Sequence, residues 1–168
     1  MIRNIVIGII VFTLFGCKNY YLRGYFTVSE FKEQCRWKNP VNTRYTPKKR
    51  NLVYLDSLQT TKDSVDLKLF LGTWCSDSRK LVPKFFNIMP KLPIRSVTIV
   101  SVDTTKRDIN RWVNSYQVDS IPMFIFFRNE KEIGRIKVKP GKQGLEPALW
   151  HIISPKDSMN MGKKEKNK

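Results

Sequence analysis

Apolar positions along this chain change period several times, and each change marks an element. Residues 5–15 form an apolar run with one basic residue, Arg3, ahead of it. A helix that crosses a bilayer takes about 20 apolar residues. The run is too short for a permanent span and has the size and flanks of a signal-peptide core. Residues 18–64 are basic and polar. Within them Ser29, Glu30, Phe31, Cys35 and Trp37 begin a short helix that Asn39-Pro40 ends. Residues 51–58 place apolar side chains at helical spacing and predict a second helix.

A clearer pattern starts at Val65. Val65-Asp66-Leu67-Lys68-Leu69 alternates and runs into Phe70-Leu71, which predicts a buried strand over 65–72. Leu81, Val82, Phe85, Phe86 and Met89 share one face of a helix over 78–89. A strand rich in β-branched residues follows at 94–102. Asp108 is placed to cap a helix holding Ile109, Trp112, Val113 and Tyr116. A third strand covers 123–127. Asn129-Glu130-Lys131 turns into a fourth over 132–138, and 145–153 is a closing amphipathic helix. Phe85, Phe86, Phe124, Phe126 and Phe127 read as core. The tail 159–168 has no apolar period and reads as disordered.

The order β-α-β-α-β-β-α predicts an α/β fold. Strands joined by a helix form a right-handed crossover and lie parallel, while the last two form an antiparallel hairpin. Helices then cover both faces of a central four-stranded mixed sheet. The expected organisation is a leader at 1–16, a basic helical extension at 17–59, the α/β domain at 60–155 and a basic tail at 156–168. No period of 20–50 residues repeats, which argues against a solenoid.

Composition adds charge and compartment. Of 168 residues 41% are hydrophobic, enough for a packed core, and the formal net charge is +17. Loss of residues 1–16 removes only the charge of Arg3. Such a surface attracts anionic partners, and with a leader present an anionic lipid surface fits better than nucleic acid, for which no motif is seen. A solvated, merely solubilising surface is the alternative. Three cysteines are too few for a disulfide scaffold, and no metal-ligand spacing is present. The one histidine, His151, is far from every cysteine in sequence. No metal and no cofactor are expected.

Leu14-Phe15-Gly16-Cys17 resembles the lipobox of bacterial lipoproteins. The resemblance implies that Cys17 takes a diacylglycerol and becomes the new N-terminus. A small residue before the cut fits a peptidase pocket, and a thiol can carry the lipid. Each buried methylene of an acyl chain contributes about 0.8 kcal/mol to anchoring. Ordinary cleavage, or an uncleaved leader, is the alternative. The expected location is the cell envelope, lipid-anchored and facing the periplasm.

Trp74-Cys75-Ser76-Asp77-Ser78 falls where a strand gives way to a helix, and Ile121-Pro122 precedes the third strand. Gly134 and Lys139-Pro140-Gly141 lie near the last strand. Together these resemble the thioredoxin family over about residues 60–155, and the stretch 72–78 resembles a bacterial subgroup with a single motif cysteine. The resemblance implies that Cys75 is the nucleophile, that Pro122 is a cis-proline beside it, and that Trp74, Ile121 and Pro122 contact substrate. A trans proline opening an edge strand, and a core-packed Trp74, are the alternatives. A helix N-terminus presents free N–H groups and the positive end of the helix dipole, which favour a thiolate. Arg79 and Lys80 would add to this, and Asp77 would oppose it.

Two positions depart from the family. Ser78 stands where the resolving cysteine would be; its hydroxyl can bond the Cys75 thiolate but cannot displace a mixed disulfide. Leu69 stands where dithiol members keep a buried acid. A dithiol cycle within this motif is therefore not possible. Cys35 is either a distant resolving partner or a buried helix cysteine. The expected activity is thiol–disulfide exchange of monothiol type, with extracytoplasmic cysteine-containing proteins or an external thiol as partners. A non-catalytic peptide-binding adaptor of the envelope is the alternative. A peroxide-reducing role is weaker, since the Thr and Arg arrangement of such members is not found.

Overall fold

The computed structural model describes residues 21–60, 63–105, 111–137 and 144–154. The leader, Cys17, Asp108, Ile109, Lys139-Pro140-Gly141 and the tail lie outside the described residues. Elements follow in the order β1 (Gly24–Phe26), α1 (Val28–Gln34), α2 (Lys49–Gln59), β2 (Val65–Leu71), α3 (Ser76–Ile88), β3 (Ile94–Ser101), α4 (Trp112–Ser115), β4 (Met123–Arg128), β5 (Lys131–Ile136) and α5 (Leu145–Ile153). From Val65 onward this is the expected β-α-β-α-β-β-α order.

The sheet has five strands, ordered β1-β3-β2-β4-β5. The four expected strands form its larger part. The fifth, β1, comes from the segment 17–59 and pairs antiparallel with β3, Gly24 opposite Ser101. The crossover from β2 through α3 to β3 gives the expected parallel pair, Leu69 opposite Ile99. The next one does not: β4 lies on the opposite side of β2 from β3 and runs antiparallel to β2, Leu69 opposite Phe124. β4 and β5 form the expected hairpin, with Asn129 and Glu130 both at positive φ in its turn.

Alternation along β2 sorts the core into two clusters. Leu67, Leu69 and Leu71 enter a large one with Phe31, Leu55, Leu58, Val82, Phe85 and Leu149. Thus α1, α2, α3 and α5 cover one face of the sheet. Phe70 points the other way, into a smaller cluster with Val100 and Ile125, against Trp112, Val113 and Tyr116. Helices do lie on both faces, but among the described residues the second carries only the one-turn α4. Lys68 lies on that thinly covered face. Its Nζ lies 4.8 Å from the ring centre of Trp112 and 5.6 Å from those of Tyr116 and Phe127, so an ammonium is held on aromatic faces where a helix would have hidden it.

Local chemistry sets the helix ends. α1 starts earlier than Ser29 suggests: Thr27 caps it, Glu30 N–H donates to Thr27 Oγ1 at 3.3 Å, and Thr27 N–H donates to Glu30 Oε2 at 2.7 Å. On β5, a Cβ at Gly134 would stand 3.0 Å from Ile152, so the glycine lets α5 approach the sheet.

A buried carboxylate ties the loop before α2 to α5. Glu146 is 1% exposed, and it accepts from the Tyr45 hydroxyl at 2.6 Å and from Asn51 Nδ2 at 3.0 Å. Burial, with the Glu146 carboxylate beside it, pushes the Tyr45 phenol well above its ordinary range, so it stays a donor at neutral pH. Glu146→Ala removes both acceptors and is expected to destabilise the domain by about 1–3 kcal/mol. Urea unfolding measures this, and an unchanged midpoint would mean that the clasp contributes nothing.

Candidate active site

The site is built where β2 ends and α3 begins. Gly72 and Thr73 are buried, Trp74 and Cys75 half-buried, and Cys75 N–H donates to Gly72 C=O at 3.0 Å to close the turn. Cys75 is the N-cap residue of α3, extended at φ −76°, and its side chain makes no capping bond. Its sulfur therefore sits at a helix N-terminus without being consumed by it. It is a free thiol, and it packs against the smaller core cluster.

The Ile121–Pro122 peptide bond is cis, and both residues are buried at the entrance to β4. The Cys75 thiol donates to the Ile121 carbonyl at 3.6 Å. The two motifs that the sequence holds 46 residues apart thus meet in space. Trp74 folds back over the turn. Its Nε1 donates to Val102 C=O at 3.1 Å, and a Cβ at Gly72 would stand 2.7 Å from that same Nε1. Gly72 is thus needed for the tryptophan to lie where it does. Trp74 is half-buried and packs against the smaller core cluster.

Ser78 is fully buried, and its Oγ accepts from Gly72 N–H at 3.4 Å. Among the described residues no hydrogen bond joins it to Cys75. The hydroxyl holds the turn. Leu69, fully buried in the large cluster, offers no proton to the site. Arg79 turns its Nε to the Thr73 carbonyl at 2.8 Å, two residues before the nucleophile. His151 is exposed on α5, its ring against Trp150.

Cys35 ends α1, 7% exposed, as a free thiol in the large cluster, whereas Cys75 packs against the small one. Burial pushes the Cys35 thiol up, with Trp37 N–H and Arg79 acting in the opposite sense. A thiol so held is a poorer nucleophile at neutral pH. Its surroundings are those of the buried helix cysteine. Residues that sequence reasoning did not assign to the site are Leu22, Trp37 and Thr73. Leu22 N–H donates to Thr73 Oγ1 at 3.1 Å, and Trp37 Nε1 donates to Thr73 C=O at 2.9 Å.

Among known proteins, the chain is similar to the chloroplastic thioredoxin Y of Oryza sativa subsp. japonica, 30% identical over 94 residues, covering 56% of this chain and 54% of that one. It is 28% identical over 67 residues to the thioredoxin of Chlamydia pneumoniae, covering 40% and 62%. The chain therefore spans little more than half the length of these relatives. Among solved structures, Fasciola hepatica thioredoxin superposes with a TM-score of 0.40 at 20% identity, covering 60% of this chain and 90% of that one. The thioredoxin family model matches residues 49–149, well over half of the chain and all of the site from Gly72 to Pro122. The chain belongs to the thioredoxin family.

Proposed function

We propose that this protein is a lipid-anchored, extracytoplasmic thioredoxin-like protein that carries out thiol–disulfide exchange through Cys75 alone. One observation carries the reading: a free, half-buried thiol at the start of α3, 3.6 Å from the Ile121 carbonyl. Family membership supports exchange chemistry in general. The single-cysteine mechanism rests on Ser78 and Leu69, and the anchor on Cys17 and the leader.

The steps balance as two exchanges. The Cys75 thiolate attacks one sulfur of a partner disulfide. A Cys75–sulfur bond forms, the partner's own S–S bond breaks, and its second sulfur leaves as a thiolate. An external thiolate then attacks the partner's sulfur of the mixed disulfide: a bond between those two sulfurs forms, the Cys75–sulfur bond breaks, and Cys75 leaves as a thiolate. Ser78 cannot perform this second step, because oxygen does not displace sulfur here and the hydroxyl is buried on Gly72. The mixed disulfide therefore lasts until an outside thiol or the partner's own freed thiolate attacks it. The alternative, a peptide-binding adaptor, draws on the same two departures from the dithiol pattern.

Turnover of a scrambled-disulfide protein with glutathione present is expected for the wild type and for Cys35→Ala, and at least tenfold slower for Cys75→Ala. Equal rates in wild type and Cys75→Ala would leave the adaptor reading. The anchor has its own test. Mass spectrometry of the mature protein from membranes of a bacterial host is expected to show an acylated Cys17 at the N-terminus. An unmodified Cys17 thiol there would rule out lipidation.

A further inference from the structure

We infer that Thr73 is a positioning residue for Cys75, and that the N-terminal segment reaching from Leu22 to Trp37 is through it a working part of the active site. The inference rests on the reading of Cys75 as the nucleophile and adds what holds it. Thr73 is 6% exposed and receives three hydrogen bonds. Its hydroxyl accepts from Leu22 N–H at 3.1 Å. Its carbonyl accepts from Trp37 Nε1 at 2.9 Å and from Arg79 Nε at 2.8 Å. Two of the three donors lie 51 and 36 residues away in sequence, ahead of β2.

Both distant donors are themselves fixed. Leu22 C=O accepts from the buried Ser101 hydroxyl at 2.8 Å, two residues before Gly24 of β1, which pairs with the same Ser101. The Trp37 ring packs edge-on against fully buried Phe31, centres 5.6 Å apart. So the donors flank β1 and α1, Leu22 just before β1 and Trp37 just after α1, and the sheet and large core hold those two elements. Leu22 holds the Thr73 side chain, and Trp37 with Arg79 holds the carbonyl of the peptide between Thr73 and Trp74. The next residue but one after Thr73 closes the turn through Cys75 N–H on Gly72 C=O, and its thiol lies against the Ile121 carbonyl. Helix capping alone would not do this, since the Cys75 side chain makes no capping bond. Misplacement of a reacting group by about 1 Å can cost on the order of a hundredfold in rate.

The test compares Thr73→Val, Thr73→Ser and Trp37→Phe with the wild type, in full-length protein, under conditions where circular dichroism shows each folded. Two readouts are taken: disulfide exchange, and the rate at which iodoacetamide labels Cys75, followed by peptide mapping. Thr73→Val keeps the shape but removes the acceptor for Leu22 N–H. Thr73→Ser keeps the acceptor, and Trp37→Phe keeps an aromatic ring without its donor. Exchange is expected to fall roughly 3- to 30-fold in Thr73→Val and Trp37→Phe, labelling to change with it, and Thr73→Ser to stay within about twofold of wild type in both readouts. If Thr73→Val does not fold, Trp37→Phe decides. Wild-type rates in folded Thr73→Val and Trp37→Phe, or an equal fall in Thr73→Ser, would overturn the inference. If the wild type itself shows no exchange but labelling still follows the pattern above, positioning stands and the exchange reading fails.

Discussion

The turn between Gly72 and Cys75 has to end a buried strand, start a helix and leave one sulfur uncommitted. Its closing bond runs from Cys75 N–H to Gly72 C=O, and Thr73 between them is held from outside, its hydroxyl by Leu22 and its carbonyl by Trp37 and Arg79. Ser78 reaches back to Gly72 N–H from inside α3, and Trp74 lies over the same glycine. These polar groups of the turn thus have partners other than the thiol. The sulfur is left with the Ile121 carbonyl and the opening beside it. Without that arrangement, the resemblance of the motif would have no chemical meaning.

Apolar substitution at Leu69 has a physical logic beside this. A buried acid under the site must be desolvated and hydrogen-bonded to be tolerated. Leu69 instead joins the large cluster, fully buried among other aliphatic side chains. An aliphatic side chain carries no proton to relay. A second sulfur at position 78 would have needed that relay; a hydroxyl bound to Gly72 does not. The two departures agree with each other and with the proposed single attacking sulfur.

How much of this was legible in the sequence varied with length and period. β2 and α3 carry several residues of clean alternation and helical spacing, and were read within about two residues. β1 is three residues, Gly24-Tyr25-Phe26, too short to show a period of two, and it was missed. Thr27 and Glu30 do spell a capping box, but Ser29 between them is an equally good N-cap by type. Amphipathic spacing shows that a helix has a buried side, not which side of the sheet it chooses, so the crowding of four helices on one face was not visible. Cys75 and Pro122 were legible because each sits in a recognisable dipeptide. Thr73 was not, since a threonine in Gly-Thr-Trp-Cys reads as loop and its distant donors share no local pattern with it.

The central claim is that Cys75 forms covalent bonds to partner sulfurs and cannot resolve them from within. Capture in intact cells tests this most directly: cells are quenched with acid, free thiols blocked, and partners joined by reducible disulfides identified on wild type, Cys75→Ala and Cys35→Ala. The expected result is a set of partners on wild type and on Cys35→Ala that vanishes in Cys75→Ala, trapped without any engineered change at Ser78. The same partners on Cys75→Ala, or none on any form, would contradict it.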